Sequence, residues 1–259
     1  MSSYEKRLSA YYDLLYSQKD YSKECELIKK YSQGKKLLDI GAGTLSHSII
    51  LSNHFDRILA SDFSESMINQ GLQKIEKLGI KNINTHVGPL DKLILPQKYS
   101  TVISMFNVVN HITKLSDLVK YFLEIDKLIE IGGTFIFDCW NGVNCIIDTP
   151  KEYSKKQFFE VGHTIFSETK TTTDKINSMC EMDTEIKVYD DSTLLETINF
   201  KLTHRLWTID ILKEILSEIG FEFIKIIPYF DETSEVTQND SRVTFILKKI
   251  EKWNTYTLK

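Results

Sequence analysis

Apolar positions recur at helical spacing near the start of the chain, where Leu8, Tyr11, Tyr12, Leu15 and Tyr16 share one side. Residues 18–21 break that period, and a second helix is predicted over 24–31. Short apolar runs then alternate with helical stretches. Lys36-Leu37-Leu38-Asp39-Ile40 reads as a strand stopped by Gly41, with a helix from about Ser46 to Ser52. Residues 57–62 form a strand that ends in an acid, Asp62. Ser64 caps the next helix and Gly79 closes it. Strands follow at 82–87 and 101–106, a helix at 115–130, a turn at Gly132-Gly133, and a fifth strand at 134–139. This βαβαβ order predicts a parallel sheet with helices on both faces.

The pattern changes over 157–207, where polar and apolar residues alternate without helical period. Gly162-His163, Thr173-Asp174-Lys175 and Asp190-Asp191-Ser192 read as turns. In the last run Leu194, Glu196, Ile198, Phe200, Leu202, His204 and Leu206 fall on one face; Thr197, Asn199, Lys201, Thr203 and Arg205 fall on the other. That alternation predicts a half-buried antiparallel sheet. Thr208 then caps a helix to Ile219, Gly220 ends it, and strands follow at 222–227 and 243–248. The predicted fold is a doubly wound α/β sheet of seven strands, mostly parallel and Rossmann-like, the last antiparallel. Residues 1–145 and 207–259 make that domain, and 146–206 is an inserted antiparallel segment after strand five.

Composition narrows the class. The 259 residues are 42% hydrophobic and 26% charged, as in ordinary globular domains. A net charge of −4 supplies no basic excess for a nucleic-acid backbone, and the Lys pairs are diluted by Glu or apolar neighbours. No apolar run approaches the roughly 18–20 residues that cross a bilayer. The first sixteen residues, MSSYEKRLSAYYDLLY, lack a signal peptide's apolar core. Cys25, Cys139, Cys145 and Cys180 lie far apart with no C-x-x-C pair, against a metal site or a disulfide framework. The expectation is a reduced, cytoplasmic protein with neither nucleic-acid nor membrane partners.

The chemistry concentrates at Leu37-Leu38-Asp39-Ile40-Gly41-Ala42-Gly43-Thr44. A strand running into Gly-x-Gly and then a helix lets the backbone approach a bound nucleotide. Asp62 closes the next strand about 20 residues on, where a carboxylate can accept both ribose hydroxyls. The bland alternative is a tight turn plus a surface aspartate. A dinucleotide turn would carry a third glycine where this chain has Ser46, and Asp39 would be unwelcome beside a pyrophosphate. The site therefore suits an adenosine cofactor without phosphate, with Asp39 free to accept N–H groups of the turn.

Leu37–Thr44 resembles motif I of the class I S-adenosylmethionine-dependent methyltransferases, and Asp62 matches their ribose-binding acid. Tyr12-Asp13-Leu14-Leu15-Tyr16, residues 104–111 (SMFNVVNH) and Asp138-Cys139-Trp140 are similar to the branch of nucleotide-linked amino-sugar N-methyltransferases. Three positions depart from that pattern: Leu45 stands where a third glycine is common, Gly88-Pro89-Leu90 where Gly-Asp is usual, and Tyr99-Ser100 where Phe-Asp is frequent. The resemblance implies that Asp39, Gly41, Ala42 and Gly43 cradle the methionine moiety, with the Gly41 carbonyl near its amino group. Asp62 would bind ribose and Phe63 would flank adenine, with Met67, Gly88, Pro89 and Leu90 around them. Met105 and Phe106 would line the cofactor at the strand-four tip, Tyr12 would close over it, and Lys19 would meet its carboxylate. The inserted segment would be a lid over the acceptor.

The implied reaction is a displacement at a sulfonium methyl, leaving S-adenosylhomocysteine. An amine acceptor must lose a proton before attack, and a histidine titrating near neutrality can take it. His111 follows the strand-four tip, where the branch places a catalytic histidine; otherwise it packs and bonds a backbone carbonyl. His47 and His54 read as surface or packing residues, His86 lies in a strand, His163 in a turn, and His204 on an apolar face as a core residue. Tyr12 is a second catalytic candidate. Trp140 is an acceptor wall or a packing residue, Cys139 is inert core, and Lys201 with Arg205 suits an anionic part of the acceptor. The expected function is methyl transfer to a small-molecule amine, first of all a nucleotide-linked amino sugar. The alternatives are a hydroxyl acceptor, a non-catalytic cofactor-binding protein and an NAD(P)-linked oxidoreductase. The acceptor's identity and the oligomeric state are not legible.

Overall fold

The computed structural model describes residues 3–93, 97–158 and 163–251. Two helices open the chain, α1 (Ser3–Leu15) and α2 (Tyr21–Tyr31), and the Asp20 side chain accepts the Lys23 N–H at 3.0 Å to start the second. The alternation of strand and helix then runs β1 (Lys36–Ile40), α3 (Ser46–Leu51), β2 (Arg57–Asp62), α4 (Glu65–Leu78), β3 (Ile83–Val87), β4 (Tyr99–Ser104), α5 (Val108–His111), α6 (Leu115–Leu128) and β5 (Ile129–Trp140). Ser64 caps α4 through the Met67 N–H, and Gly79 ends that helix with a left-handed φ of 68°. After α7 (Gly142–Ile147) come β6 (Tyr153–Phe158), β7 (His163–Asp174), β8 (Met179–Asp190) and β9 (Thr193–Arg205). The chain then forms α8 (Ile209–Ile219), β10 (Phe221–Pro228) and β11 (Arg242–Lys249).

The main sheet has seven strands in the order β10-β11-β5-β4-β1-β2-β3. All pairings are parallel except those of β11, which runs antiparallel to both β10 and β5. The central strands are apolar on both faces because both are covered. Phe122, Phe135, Phe137 and Phe245 lie in the core on the α6–α8 side; Leu37, Leu45, Ile58 and Ile246 lie in the core on the α2–α4 side. The order of strands reverses beside β1, between β2 and β4. Open α/β sheets form their ligand crevice at such a point.

The second sheet is a four-stranded antiparallel meander, β6-β7-β8-β9. Ile165, Ile186, Val188 and Ile198 form its small core, with Leu8, Tyr11 and Leu14 of α1 packed on it. The sheet joins the main body where Asn110 Nδ2 donates to the Arg205 carbonyl at 2.8 Å and Trp207 Nε1 donates to the Ile112 carbonyl at 3.0 Å.

Several sequence expectations need correction. Gly132-Gly133 does not end a turn before strand five; both lie inside β5. There the register against β4 jumps from Tyr99↔Ile129 to Thr101↔Thr134, because Gly132 takes a φ of 82° and kinks the strand without stopping it. Strand β6 begins at Tyr153, ahead of the alternation predicted from 157, and α7 has too few residues to show a helical period. Gly162 lies outside the described residues, and His163 starts a strand. Leu194 leaves the apolar face of β9: Val188 pairs with Glu196 while Tyr189 pairs with Leu194, and this irregularity leaves both Leu194 and Leu195 exposed. Thr208 occupies the cap position of α8 without a side-chain cap bond.

Candidate active site

The turn after β1 is built by backbone. Gly41 and Ala42 donate their N–H groups to the Ser61 carbonyl at 2.8 and 3.0 Å. Gly43 donates to Asp62 Oδ2 at 2.8 Å, and Ser64 donates to Asp62 Oδ1 at 2.8 Å. Gly41 has φ 69°, and a Cβ there would lie 2.4 Å from Val108 Cγ2, so both conformation and space require glycine. Gly43 has φ 54° with open space around it. Asp39 does not hold the turn. It is 1% exposed and accepts the Ser48 hydroxyl at 2.7 Å, which ties β1 to α3. The carboxylate that takes a turn N–H is Asp62, because β2 ends directly beside Gly43.

Around this turn lies a cavity of about 680 Å³, a size typical of small-molecule sites. Gly41, Gly43, Asp62, Phe63 and Met67 line it from β1, β2 and α4. Gly88, Pro89 and Leu90 line it beyond β3, and Met105, Phe106 and His111 from the β4 tip and α5. Tyr12 of α1 and Leu202 of β9 close it from above. Phe63 is 75% exposed, an open aromatic face at the cavity. Burial pushes the Asp62 carboxyl up, opposed by the Ser64 and Gly43 N–H groups. Burial also drives the Tyr12 phenol well above its ordinary value, so it is a neutral donor.

The residues fit an S-adenosyl ligand. Asp62 Oδ2 accepts the Gly43 N–H and Oδ1 the Ser64 N–H, and a carboxylate has lone pairs beyond these for a hydroxyl. The open space at Gly43 would be filled by a side chain there, and Phe63 offers a face for a flat base.

At the tip of β4 the backbone turns sharply: Phe106 and Asn107 have φ of 68° and 62°. Helix α5 starts there and ends in His111, whose side chain opens into the cavity. His111 is exposed towards the cavity, and partial desolvation by the surrounding protein lowers its pKa from the ordinary histidine value. Its ring lies 4.5 Å from that of His204, which stacks on Trp140 at 4.9 Å and 17°. His204 is 5% exposed, and burial, helped by His111, pushes it down to about 3, so it stays neutral. Asn110, fully buried, accepts the Trp140 N–H at 2.8 Å while donating to the Arg205 carbonyl.

Besides Asp39, which does not line the cavity, five predicted residues stand elsewhere. Ala42 is buried and does not line the cavity. Lys19 lines a second cavity of about 400 Å³ on the other side of Phe106, ion-paired with Glu24. Glu24 is buried. That burial acts to raise its carboxyl, but His47 at 2.6 Å and Lys19 outweigh it and hold the carboxyl at about 2. Trp140 faces a third cavity, beside Arg242 and Cys145. Lys201 pairs with Glu181 at 3.4 Å, and Arg205 lies over the Trp207 ring at 5.0 Å. Neither lines the main cavity, because the polar face of β9 points away from it. Sequence reasoning missed Asn110, Asp138 and Arg242, whose roles depend on neighbours far along the chain. It also missed Lys120, Tyr121 and Glu124, which carry no motif.

The family model described as a methyltransferase domain matches residues 31–218. Among curated proteins, the dTDP-3-amino-3,4,6-trideoxy-alpha-D-glucopyranose N,N-dimethyltransferase of Streptomyces venezuelae is 25% identical over 136 residues, covering 50% of this chain and 55% of that protein. An uncharacterized protein of Haemophilus influenzae is 29% identical over 109 residues, covering 40% and 42%. The matches thus span about half the length of these curated relatives. Among solved structures, an S-adenosylmethionine-dependent methyltransferase from Clostridium acetobutylicum is similar with a TM-score of 0.79 at 19% identity, covering 96% of this chain and 100% of that one. A sugar N-methyltransferase from Streptoalloteichus gives 0.76 at 16% identity, covering 93% of each chain. DesVI of Streptomyces venezuelae gives 0.75 at 18% identity, covering 92% and 96%. These structural likenesses carry the fold. The family match covers well over half of the chain, and the chain belongs to the methyltransferase-domain family, whose cofactor is S-adenosylmethionine.

Proposed function

We propose that this protein transfers a methyl group from S-adenosylmethionine to an amine on a small molecule, with a nucleotide-linked amino sugar as the first acceptor to test. The observation that carries the reading is one cavity bounded by the Gly41–Gly43 turn, the Asp62 carboxylate and His111. The similarity to a dTDP-amino-sugar N,N-dimethyltransferase supports the choice of acceptor.

In this reading the Gly41 carbonyl meets the methionyl amino group and Asp62 accepts the ribose hydroxyls. Phe63 and Leu90 hold the adenine, and Tyr12 covers the reacting end. The bound cofactor supplies an activated methyl on a sulfonium. The protein's part is to align the acceptor nitrogen with it and to exclude water. A protonated amine has no lone pair for attack, so its proton passes to a ring nitrogen of His111, leaving a neutral amine and a histidinium. The lowered pKa of His111 favours the neutral ring that can take that proton.

S-adenosylhomocysteine is expected to raise the melting temperature, whereas NAD and NADP leave it unchanged. His111→Ala should reduce turnover by roughly 10²-fold or more with little change in S-adenosylhomocysteine affinity. Because protonated His111 cannot act as a base, wild-type turnover should fall on the acid side, with a midpoint below that of a free histidine. Wild-type turnover in the His111 variant would remove His111 from the mechanism, and absence of any thermal shift would remove the cofactor reading.

A further inference from the structure

Two consecutive non-glycine residues in left-handed backbone, Phe106 and Asn107, carry a conformational cost that the surroundings must hold. The group that holds them is on the neighbouring strand. Asp138 of β5 has 0% exposure, and its Oδ1 accepts the Phe106 backbone N–H. Its Oδ2 accepts Arg242 Nη2 at 3.0 Å. With its amide oriented so that both atoms find partners, the Asn107 side chain bridges the same pair, donating to Asp138 Oδ2 at 3.3 Å and accepting from Arg242 at 3.2 Å. The guanidinium is fixed in turn by the Tyr229 ring, 3.7 Å beneath it. The carboxylate thus accepts from three groups, the Phe106 N–H, the Arg242 guanidinium and the Asn107 amide.

What this carboxylate fixes lies at the heart of the site. The Phe106 ring, 4.9 Å from that of Tyr16, is the wall shared by the main cavity and the second cavity. Helix α5 starts at the residue after Asn107 and ends in His111. We propose that Asp138 is the positioning residue of the site: through the Phe106 N–H and the Arg242–Asn107 bridge it holds the left-handed strand tip, and so sets where the Phe106 wall and His111 stand. Asp138 lines none of the three cavities described. The functional part of the proposal rests on reading the main cavity as the cofactor site; the conformational part does not.

The test has two arms in the full chain. In the first, amide exchange is followed by mass spectrometry over residues 104–111 without ligand. Asp138→Ala is expected to speed exchange of the Phe106 amide about tenfold or more, while the strands of the main sheet keep their protection. In the second, S-adenosylhomocysteine affinity is measured by calorimetry in a double-mutant cycle. Asp138→Ala should weaken binding about tenfold in the wild-type background and less than about twofold in Phe106→Gly, where glycine adopts the left-handed turn unaided. Asp138→Asn keeps an acceptor oxygen for the Phe106 N–H, so it should fold even if Asp138→Ala does not, and it should lie between wild type and Asp138→Ala in both arms. Unchanged exchange at the tip overturns the proposal. So does an equal loss of affinity in both backgrounds, which is what a purely structural role would give. If the wild type binds no S-adenosylhomocysteine, the cofactor reading fails, and the exchange arm still decides whether Asp138 holds the tip.

Discussion

The Asp62 carboxylate does two things with the same atoms. It accepts the N–H groups of Gly43 and Ser64 at 2.8 Å each, joining the glycine turn to the start of α4, and it presents its remaining lone pairs to the cavity. Asp62→Ala should weaken S-adenosylhomocysteine binding by about 1.5–3 kcal/mol, the scale of hydrogen bonds to a charged group. Asp39→Ala, by contrast, should lower the melting temperature through its lost Ser48 bond and leave affinity nearly intact; the pair is separated by calorimetry and thermal melts on the same samples. The positions of both acids were legible in the sequence, but their division of labour was not. Each ends or flanks a strand beside the turn, and which one meets Gly43 depends on the β1–β2 register. Lys19 was misplaced for a similar reason. Nothing in its neighbourhood shows that Glu24, only five residues on, is buried with His47 and captures it. Lys201 and Arg205 were assigned to the correct alternating face of β9, but alternation does not say which way that face looks.

Helix α3 shows how an element adapts to an unusual residue. Leu45 stands at its N-cap with a left-handed φ of 66°, doing with a side chain what a glycine does more cheaply. The side chain is fully buried and rests on Gly71 of α4, where an added Cβ would lie 2.3 Å from Leu45 Cγ. Gly71→Ala should therefore destabilise the protein by about 1–2 kcal/mol: overpacking outweighs the roughly 1 kcal/mol that alanine gains over glycine in a helix. In a Leu45→Ala background the same change should be neutral or stabilising, and urea unfolding of the four variants measures the coupling. The ends of α4 were plain in the sequence because Ser64 and Gly79 are local signals. The Gly132-Gly133 kink was not, because a bulge in β5 is defined by the strand it pairs with, and local glycine chemistry looks the same in a turn.

Across the whole molecule, a buried amide is one of the ties between the two sheets. Asn110 is fully buried and satisfies the Trp140 N–H of β5 and the Arg205 carbonyl at the end of β9. Asn110→Ala leaves both backbone groups unpaired away from water and should cost about 2–4 kcal/mol. Its amide exchange should rise at α5 and the end of β9 before the rest of the main sheet responds; uniform exchange would place the coupling of the sheets elsewhere. The βα order made the main sheet readable because each unit is local in sequence. The contact between the sheets involves residues nearly a hundred positions apart, and no single-sequence period encodes it.

The antiparallel direction of β11 has a consequence for the order in which the molecule can assemble. Strands β6 to β9 pair with their immediate neighbours in sequence, so the meander can form by successive hairpins as the chain emerges from the ribosome. The main sheet cannot be completed that way. Its last strand lies between β10 and β5, with Arg242 opposite Trp140 and Phe245 opposite Phe137. Until residues 242–249 are made, residues 134–140 of β5 present an unpaired edge carrying side chains that are fully buried in the finished fold, among them Ile136 and Phe137. The late nascent chain thus presents a sticky apolar margin, and pairing of β11 seals it.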